Sequence, residues 1–118
     1  MAAERIEKVN SLLKEVISEV ISNDLKSHDL PRLLTITDVD TSKDLRNAKV
    51  YISVINANEE EKNKILVILQ NYSGKIGVLA AKKITLKYFP KLTFLLDESI
   101  DYYMKIDSLL EKINIESN

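Results

Sequence analysis

The sequence predicts an α+β domain of two layers, in which helices pack on a three-stranded sheet. Three observations carry that reading. Segments 33–40, 48–55 and 91–96 are short, rich in β-branched and apolar residues, and bounded by polar or proline-containing stretches. Segments 4–25 and 58–87, and the chain beyond Asp97, repeat apolar residues at helical spacing. The chain's 118 residues, 45% hydrophobic and without cysteine, can bury a core with no disulfide or metal staple. Its length suits one domain spanning residues 1–118, with a core at about 4–113 and a frayed end at 114–118.

In the first helix, Ile6, Val9, Leu13, Val16, Ile17 and Val20 form one stripe, with Glu4, Glu7, Lys8, Lys14 and Glu15 between them. Asn23 to Pro31 is a polar connector, because Pro31 resists continuation of a helix. Two strands follow, Leu33 to Asp40 and Ala48 to Ile55. The short polar link from Thr41 to Asn47 makes them an antiparallel hairpin. In the second strand Ala48, Val50, Ile52 and Val54 share one face and Lys49, Tyr51 and Ser53 the other.

Asn58-Glu-Glu-Glu61 starts a helix: Asn58 caps it, Glu61 takes the capping-box position, and the acids meet the positive helix end. Ile65, Leu66, Ile68, Leu69 and Tyr72 continue its stripe until Ser73-Gly74 interrupts. Ile76, Leu79, Ala80 and Ile84 set up a second stripe to about Lys87. Two helices meeting at a kink or tight turn near Gly74 satisfy both stripes. Pro90 precedes the third strand, in which Leu92, Phe94 and Leu96 alternate with Thr93 and Leu95. Asp97 or Ser99 then caps a last helix to about Ile113, with Tyr103, Ile106, Leu110 and Ile113 inward.

Charge is unevenly placed. From Lys62 to Leu96 there are seven lysines and no acid, while the whole chain holds 17 basic and 18 acidic side chains. A basic block on an otherwise acidic chain suits an anion such as a phosphate backbone, although a solvated lysine face has the same composition. Catalysis has little to work with. His28 is the only histidine and sits in the polar connector, and the absence of cysteine leaves no partner for a metal site or a nucleophile–base pair. Asp97, Glu98 and Ser99 are explained by helix capping, and Asp38, Asp40 and Asp44 lack the spacing of a calcium loop. No catalytic residue, metal or cofactor is therefore expected. The N-terminus is amphipathic and charged, unlike a signal peptide, and no apolar run approaches the ~20 residues of a membrane span.

Gly74-Lys75-Ile76-Gly77 joins the two middle helices. A Gly-x-x-Gly between helices, with a basic residue inside, is how K-homology domains clamp a nucleic-acid backbone. Ile76 also belongs to the second apolar stripe, so the segment fits a helix from Lys75 onward equally well. Lys75, Lys82 and Lys83 fall in one broad helical sector, Lys87 extends it by a turn, and Lys43 and Arg46 on the hairpin loop add contacts. Exposed aromatics are few, which favours recognition of backbone and shape over reading of bases.

Three stretches resemble bacterial ribosome-binding factor A. One is the hairpin from Thr35 to Ile52, with Ser42-Lys-Asp-Leu45 at the turn and Ala48-Lys-Val-Tyr51 in the strand. The others are the Ser73-Gly74 junction and Pro90-Lys-Leu-Thr-Phe-Leu-Leu-Asp-Glu-Ser-Ile100, with Met104 and Ile106 in register. The resemblance implies a type II K-homology order, α-β-β-α-kink-α-β, followed by the C-terminal helix. It implies a monomeric, cytoplasmic, non-catalytic RNA-binding protein. Such a protein acts in late maturation of the small ribosomal subunit, in precursor rRNA processing and in growth in the cold. Its partners would be the small subunit and its rRNA, with an assembly GTPase as a possible addition and no membrane. The family replaces the Gly-x-x-Gly loop by an Ala-x-Gly kink, and here Tyr72-Ser73-Gly74 takes that place. Lysine replaces much of the arginine usual in the family, which weakens bidentate phosphate contacts. The competing reading is a protein-interaction module of the same fold whose lysines only solubilise it. A small hydrolase would need a constellation the sequence lacks.

Overall fold

The computed structural model describes residues 2–24, 34–86 and 88–99. Helix α1, Ala2–Glu19, runs into a π-helical turn, Val20–Asp24. Strands β1, Leu34–Thr41, and β2, Asn47–Val54, precede helices α2, Glu59–Asn71, and α3, Ser73–Ala81, and then strand β3, Lys91–Leu96. This is the α-β-β-α-kink-α-β order expected from the sequence. His28, Lys87 and the expected C-terminal helix, with Tyr103, Met104, Ile106, Leu110 and Ile113, lie outside the described residues.

The sheet order is β1-β2-β3. β1 and β2 are antiparallel, as the short link requires. β3 runs parallel to β2, because α2 and α3 carry the chain back to the same end of the sheet before it re-enters. Ala48, Val50, Ile52 and Val54 are buried on one face of β2, with Leu92 and Phe94 beside them on β3. Leu13, Val16, Ile17 and Val20 of α1 and its π turn, Ile65 and Leu69 of α2, and Ile76 and Ala80 of α3 cover that face. Leu13 and Leu69 are fully buried, so truncating either to alanine would cost about 2–5 kcal/mol.

β1 departs from strict alternation. Ile36 pairs with Ile52 and Asp38 with Tyr51, so Thr37 is an extra residue in a bulge. The bulge lets Ile36 and Val39, three apart, both face the core. The Thr37 hydroxyl donates to Asp97 Oδ2 at 2.6 Å, tying β1 to the end of β3. Asn10 of α1 accepts from the Thr41 backbone N–H at 2.9 Å and fixes the other end of β1.

β3 is an edge of the sheet among the described residues, and Gln70 of α2 occupies its outer side. The amide donates to the Leu92 carbonyl at 3.2 Å and accepts from the Phe94 N–H at 3.0 Å. One side chain thus supplies the two bonds a neighbouring strand would make, which blunts the edge against pairing with another chain.

One sequence expectation is corrected here. α3 stops at Ala81, not near Lys87: the Lys83 N–H bonds the Ala80 carbonyl, a tighter i→i+3 turn, and β-branched Ile84 and Thr85 follow. The break between α2 and α3 falls at Tyr72, within the Tyr72-Ser73-Gly74 kink expected from the sequence.

Candidate nucleic-acid interface

The junction between α2 and α3 is a single residue wide. Tyr72 has φ −89° and ψ 0°, in the bridge region, and this one change of ψ turns the helix. Its N–H still bonds the Ile68 carbonyl at 3.1 Å, and its carbonyl accepts from the Ile76 N–H at 2.8 Å. The first of these bonds closes the last turn of α2 and the second closes the first turn of α3. Gly74 and Gly77 both lie inside α3, and neither has a positive φ. The Gly-x-x-Gly segment is thus not a clamp loop. Ile76 is fully buried from within this helix. The Tyr72 side chain remains 38% exposed at the bend.

The glycines open one flank of α3. A methyl group at Gly74 would meet nothing within 4 Å, and one at Gly77 would only touch the Phe89 ring at 3.6 Å. Beside them runs an open groove of about 300 Å³, floored by Phe89, Pro90 and Leu92 and bordered by Lys91. Lys75 and Lys82 are both exposed. Seven residues are nearly two turns, so they stand on one row roughly 10 Å apart along the axis.

Lys83 has a different setting. Its Nζ lies 3.1 Å from Glu19 Oε1 and 4.0 Å from Asp24 Oδ2, where α1 ends and its π turn closes. The hydrogen bond that Lys83 donates to Glu19, then the charges of Glu19 and Asp24, hold its pKa above the ordinary lysine value. Lys83 already has anionic partners that staple α3 to α1, and the sequence gives no sign of a pairing across 64 positions.

The hairpin turn carries Lys43 and Arg46, both exposed. The Ser42 hydroxyl donates to Asp44 Oδ1 at 2.6 Å and accepts from the Asn47 N–H at 3.1 Å. Asp44 Oδ1 also accepts from the Arg46 N–H at 3.1 Å. The bond from Ser42, then that from Arg46, keeps the Asp44 carboxyl below its ordinary pKa. Leu45 sits at φ 61°, a left-handed backbone uncommon for leucine. The Arg46 carbonyl accepts from the Lys91 N–H at 2.8 Å, placing the turn beside the start of β3.

The basic residues therefore fall in two places, the α3 row and the hairpin turn. Pro90 joins them: it floors the groove along α3 and also lines a second pocket of about 270 Å³ at the hairpin. Tyr88, one of the few exposed aromatics in the sequence, lines that pocket with Arg46, and so does Arg5, which sequence reasoning missed. Neither lies near Arg46 in the chain, and only folding brings them together.

Of the acids singled out in the sequence, Asp38, Asp44 and Asp97 have structural tasks. Asp97 accepts from the Ser99 hydroxyl, from Thr37 and from the Ser99 N–H, and these bonds, in that order, lower its pKa. Asp38 accepts from the Val39 N–H. Among the described residues no three acidic or histidine side chains gather as a metal site. Nor is any helix among them long and apolar enough to cross a membrane.

Residues 5–110 match the family model described as ribosome-binding factor A. This chain belongs to the ribosome-binding factor A family. Ribosome-binding factor A of Protochlamydia amoebophila is 47% identical over 116 residues, which cover 98% of this chain and 88% of the relative. The fold is similar to the crystal structure of ribosome-binding factor A from Thermus thermophilus, with TM-score 0.67 and 26% identity over 77% of this chain and 94% of that one. A homology model of the Thermus thermophilus family member, fitted into a cryo-electron microscopy map of a 30S complex, is similar at TM-score 0.62 and 26% identity. That likeness covers 75% of this chain and 91% of the fitted one.

Proposed function

We propose that this protein binds the small ribosomal subunit through rRNA, without catalysis, and assists late maturation of the subunit and processing of its precursor rRNA. It acts as a cytoplasmic monomer of one domain and supports growth in the cold. An assembly GTPase is a further partner within this reading. The observation that carries it is the acid-free stretch from Lys62 to Leu96, folded as α2, the bend, α3 and β3. It presents Lys75 and Lys82 beside a helix flank that glycine leaves open. The backbone at Gly74, near the positive end of α3, suits close approach of a phosphate. Lys43 and Arg46 extend the anionic path around Pro90, and Lys87 belongs to it by its place in the sequence. Lys83 contributes mainly by fixing α3 against α1. The family relationship and the 30S complex of the Thermus relative support the same partner.

Co-sedimentation with purified small and large subunits at two salt concentrations tests the proposal. Binding to the small subunit should weaken by a logarithmic slope of roughly −0.7 to −0.9 per phosphate contacted. Equal binding to both subunits, or none to mature or precursor small subunits, would overturn it.

One observation favours a protein partner as a second reading. Val67 of α2 and Val78 of α3 are each 60% exposed on the helical layer. An interface built on them would be nearly insensitive to salt, so the same slopes separate the two.

A further inference from the structure

The pocket at the hairpin end of the sheet is assembled from three distant parts of the chain. Arg5 and Val9 come from α1, Leu45 and Arg46 from the turn, and Leu86, Tyr88 and Pro90 from the approach to β3. We infer that this pocket receives a single unstacked nucleotide of the bound RNA, its base on the apolar floor and its phosphate at the Arg5 and Arg46 guanidiniums. The inference rests on the RNA-binding reading above and adds a site where a base is held.

Four features point to this ligand. At about 270 Å³ the pocket is below the roughly 300–1,000 Å³ of drug-sized ligand sites, and it suits one base better than a whole cofactor. Its chemistry is divided as a nucleotide is divided: Val9, Leu45, Leu86 and Pro90 give an apolar bed, and the two arginines give planar donors matched to a phosphate. Tyr88 lines this pocket and is 74% exposed, and an aromatic ring is the kind of side chain on which a base stacks. The left-handed backbone at Leu45 is held by the Ser42–Asp44–Asn47 bonds, an ordered turn that keeps this leucine in the pocket wall.

Asp44 also lines the wall, and its Oδ1 is committed to the turn. Its carboxylate would repel a phosphate lodged deep in the pocket, yet it can accept from an exocyclic amine. That sets the orientation, base inward and phosphate outward. It also favours a base with an exocyclic amine, adenine, cytosine or guanine, over uracil. The groove along α3 meets the pocket at Pro90, so a strand whose phosphates follow Lys75 and Lys82 would pass the pocket mouth with a base free to enter.

Methyl-resolved NMR of the full chain tests the site, with adenosine, cytidine and uridine 5′-monophosphates and inorganic phosphate as separate probes. Adenosine and cytidine monophosphates are expected to shift the methyls of Val9, Leu45 and Leu86, uridine monophosphate less, and phosphate alone not at all. In parallel, Tyr88→Ala should weaken small-subunit binding by about 5- to 150-fold with the salt slope unchanged, while Tyr88→Phe retains binding. Arg5→Gln should instead lower the slope by about 0.7. Small-subunit binding that is intact in wild type and unchanged in Tyr88→Ala, with silent pocket methyls, would overturn the pocket and leave the RNA-binding reading standing. Equal shifts with phosphate alone would reduce it to an anion site and overturn the base. Shifts with the nucleotides in a protein that binds no subunit would support the pocket and sink the ribosomal reading.

Discussion

Gln70→Ala isolates the contribution of one side chain that imitates a strand. The substitution removes two hydrogen bonds, at 3.2 Å to the Leu92 carbonyl and at 3.0 Å from the Phe94 N–H. Each is worth about 0.5–1.5 kcal/mol net, and a half-buried amide left without a partner costs somewhat more. Water reaches the sheet edge and recovers part of this, and alanine's better helix propensity returns a few tenths of a kcal/mol. The expected loss is about 1–2 kcal/mol, or roughly 4–16 °C in Tm for a domain near 100 residues. Urea titration followed by far-UV circular dichroism measures it. Gln70→Glu provides the internal check. At neutral pH its carboxylate accepts from Phe94 but faces the Leu92 carbonyl with no proton to donate, so it too is destabilised. Protonation on acidification restores a donor, and the gap to wild type should narrow toward pH 4. A Gln70→Ala protein within 0.3 kcal/mol of wild type would refute the idea that Gln70 holds the β3 edge, against the ~1 kcal/mol that even one such bond is worth.

Lys82→Glu should weaken small-subunit binding and leave unfolding nearly unchanged, whereas Lys83→Glu should lower thermal stability by facing Glu19 and Asp24; equal midpoints for the two would contradict the ion-pair geometry. Gly74→Ala and Gly77→Ala should each be tolerated and stabilise the protein by about 0.5–1 kcal/mol, because both positions are helical and open to a methyl; a loss of stability in urea would favour a loop. The Asp97 carboxyl has a folded pKa below its ordinary 3.8, so its contribution is complete above the unfolded value and is lost as pH falls through the folded one. Asp97→Asn should therefore flatten the acid limb of stability below about pH 4, as read from urea midpoints at a series of pH values.

The elements themselves were legible in the amino-acid order. The stripe in α1, the Asn58 cap and the alternation in β2 and β3 are local patterns, and the folded chain uses each as read. Asn58 Oδ1 does accept the Glu61 N–H, at 2.8 Å. The bulge left a trace as well, since Ile36 and Val39 cannot share a face of a regular strand. The bend was harder to place. The sequence marks Tyr72-Ser73-Gly74 because glycine weakens a helix, and within that span the helix turns at Tyr72 through a change in ψ that many residues can adopt.

The candidate site divides in the same way. Sequence alone determined the charge block from Lys62 to Leu96, the helix–bend–helix that carries it and the alternating strands beneath, because charge and periodicity are properties of neighbours along the chain. Tertiary structure decided which lysines have partners and where the pockets lie. Lys83 is committed to Glu19 across 64 positions, Gln70 serves the β3 edge, and Arg5, Arg46 and Tyr88 meet around one pocket. These depend on the parallel crossover that returns β3 beside β2, which brings distant residues within a few ångströms and has no local signature in the chain.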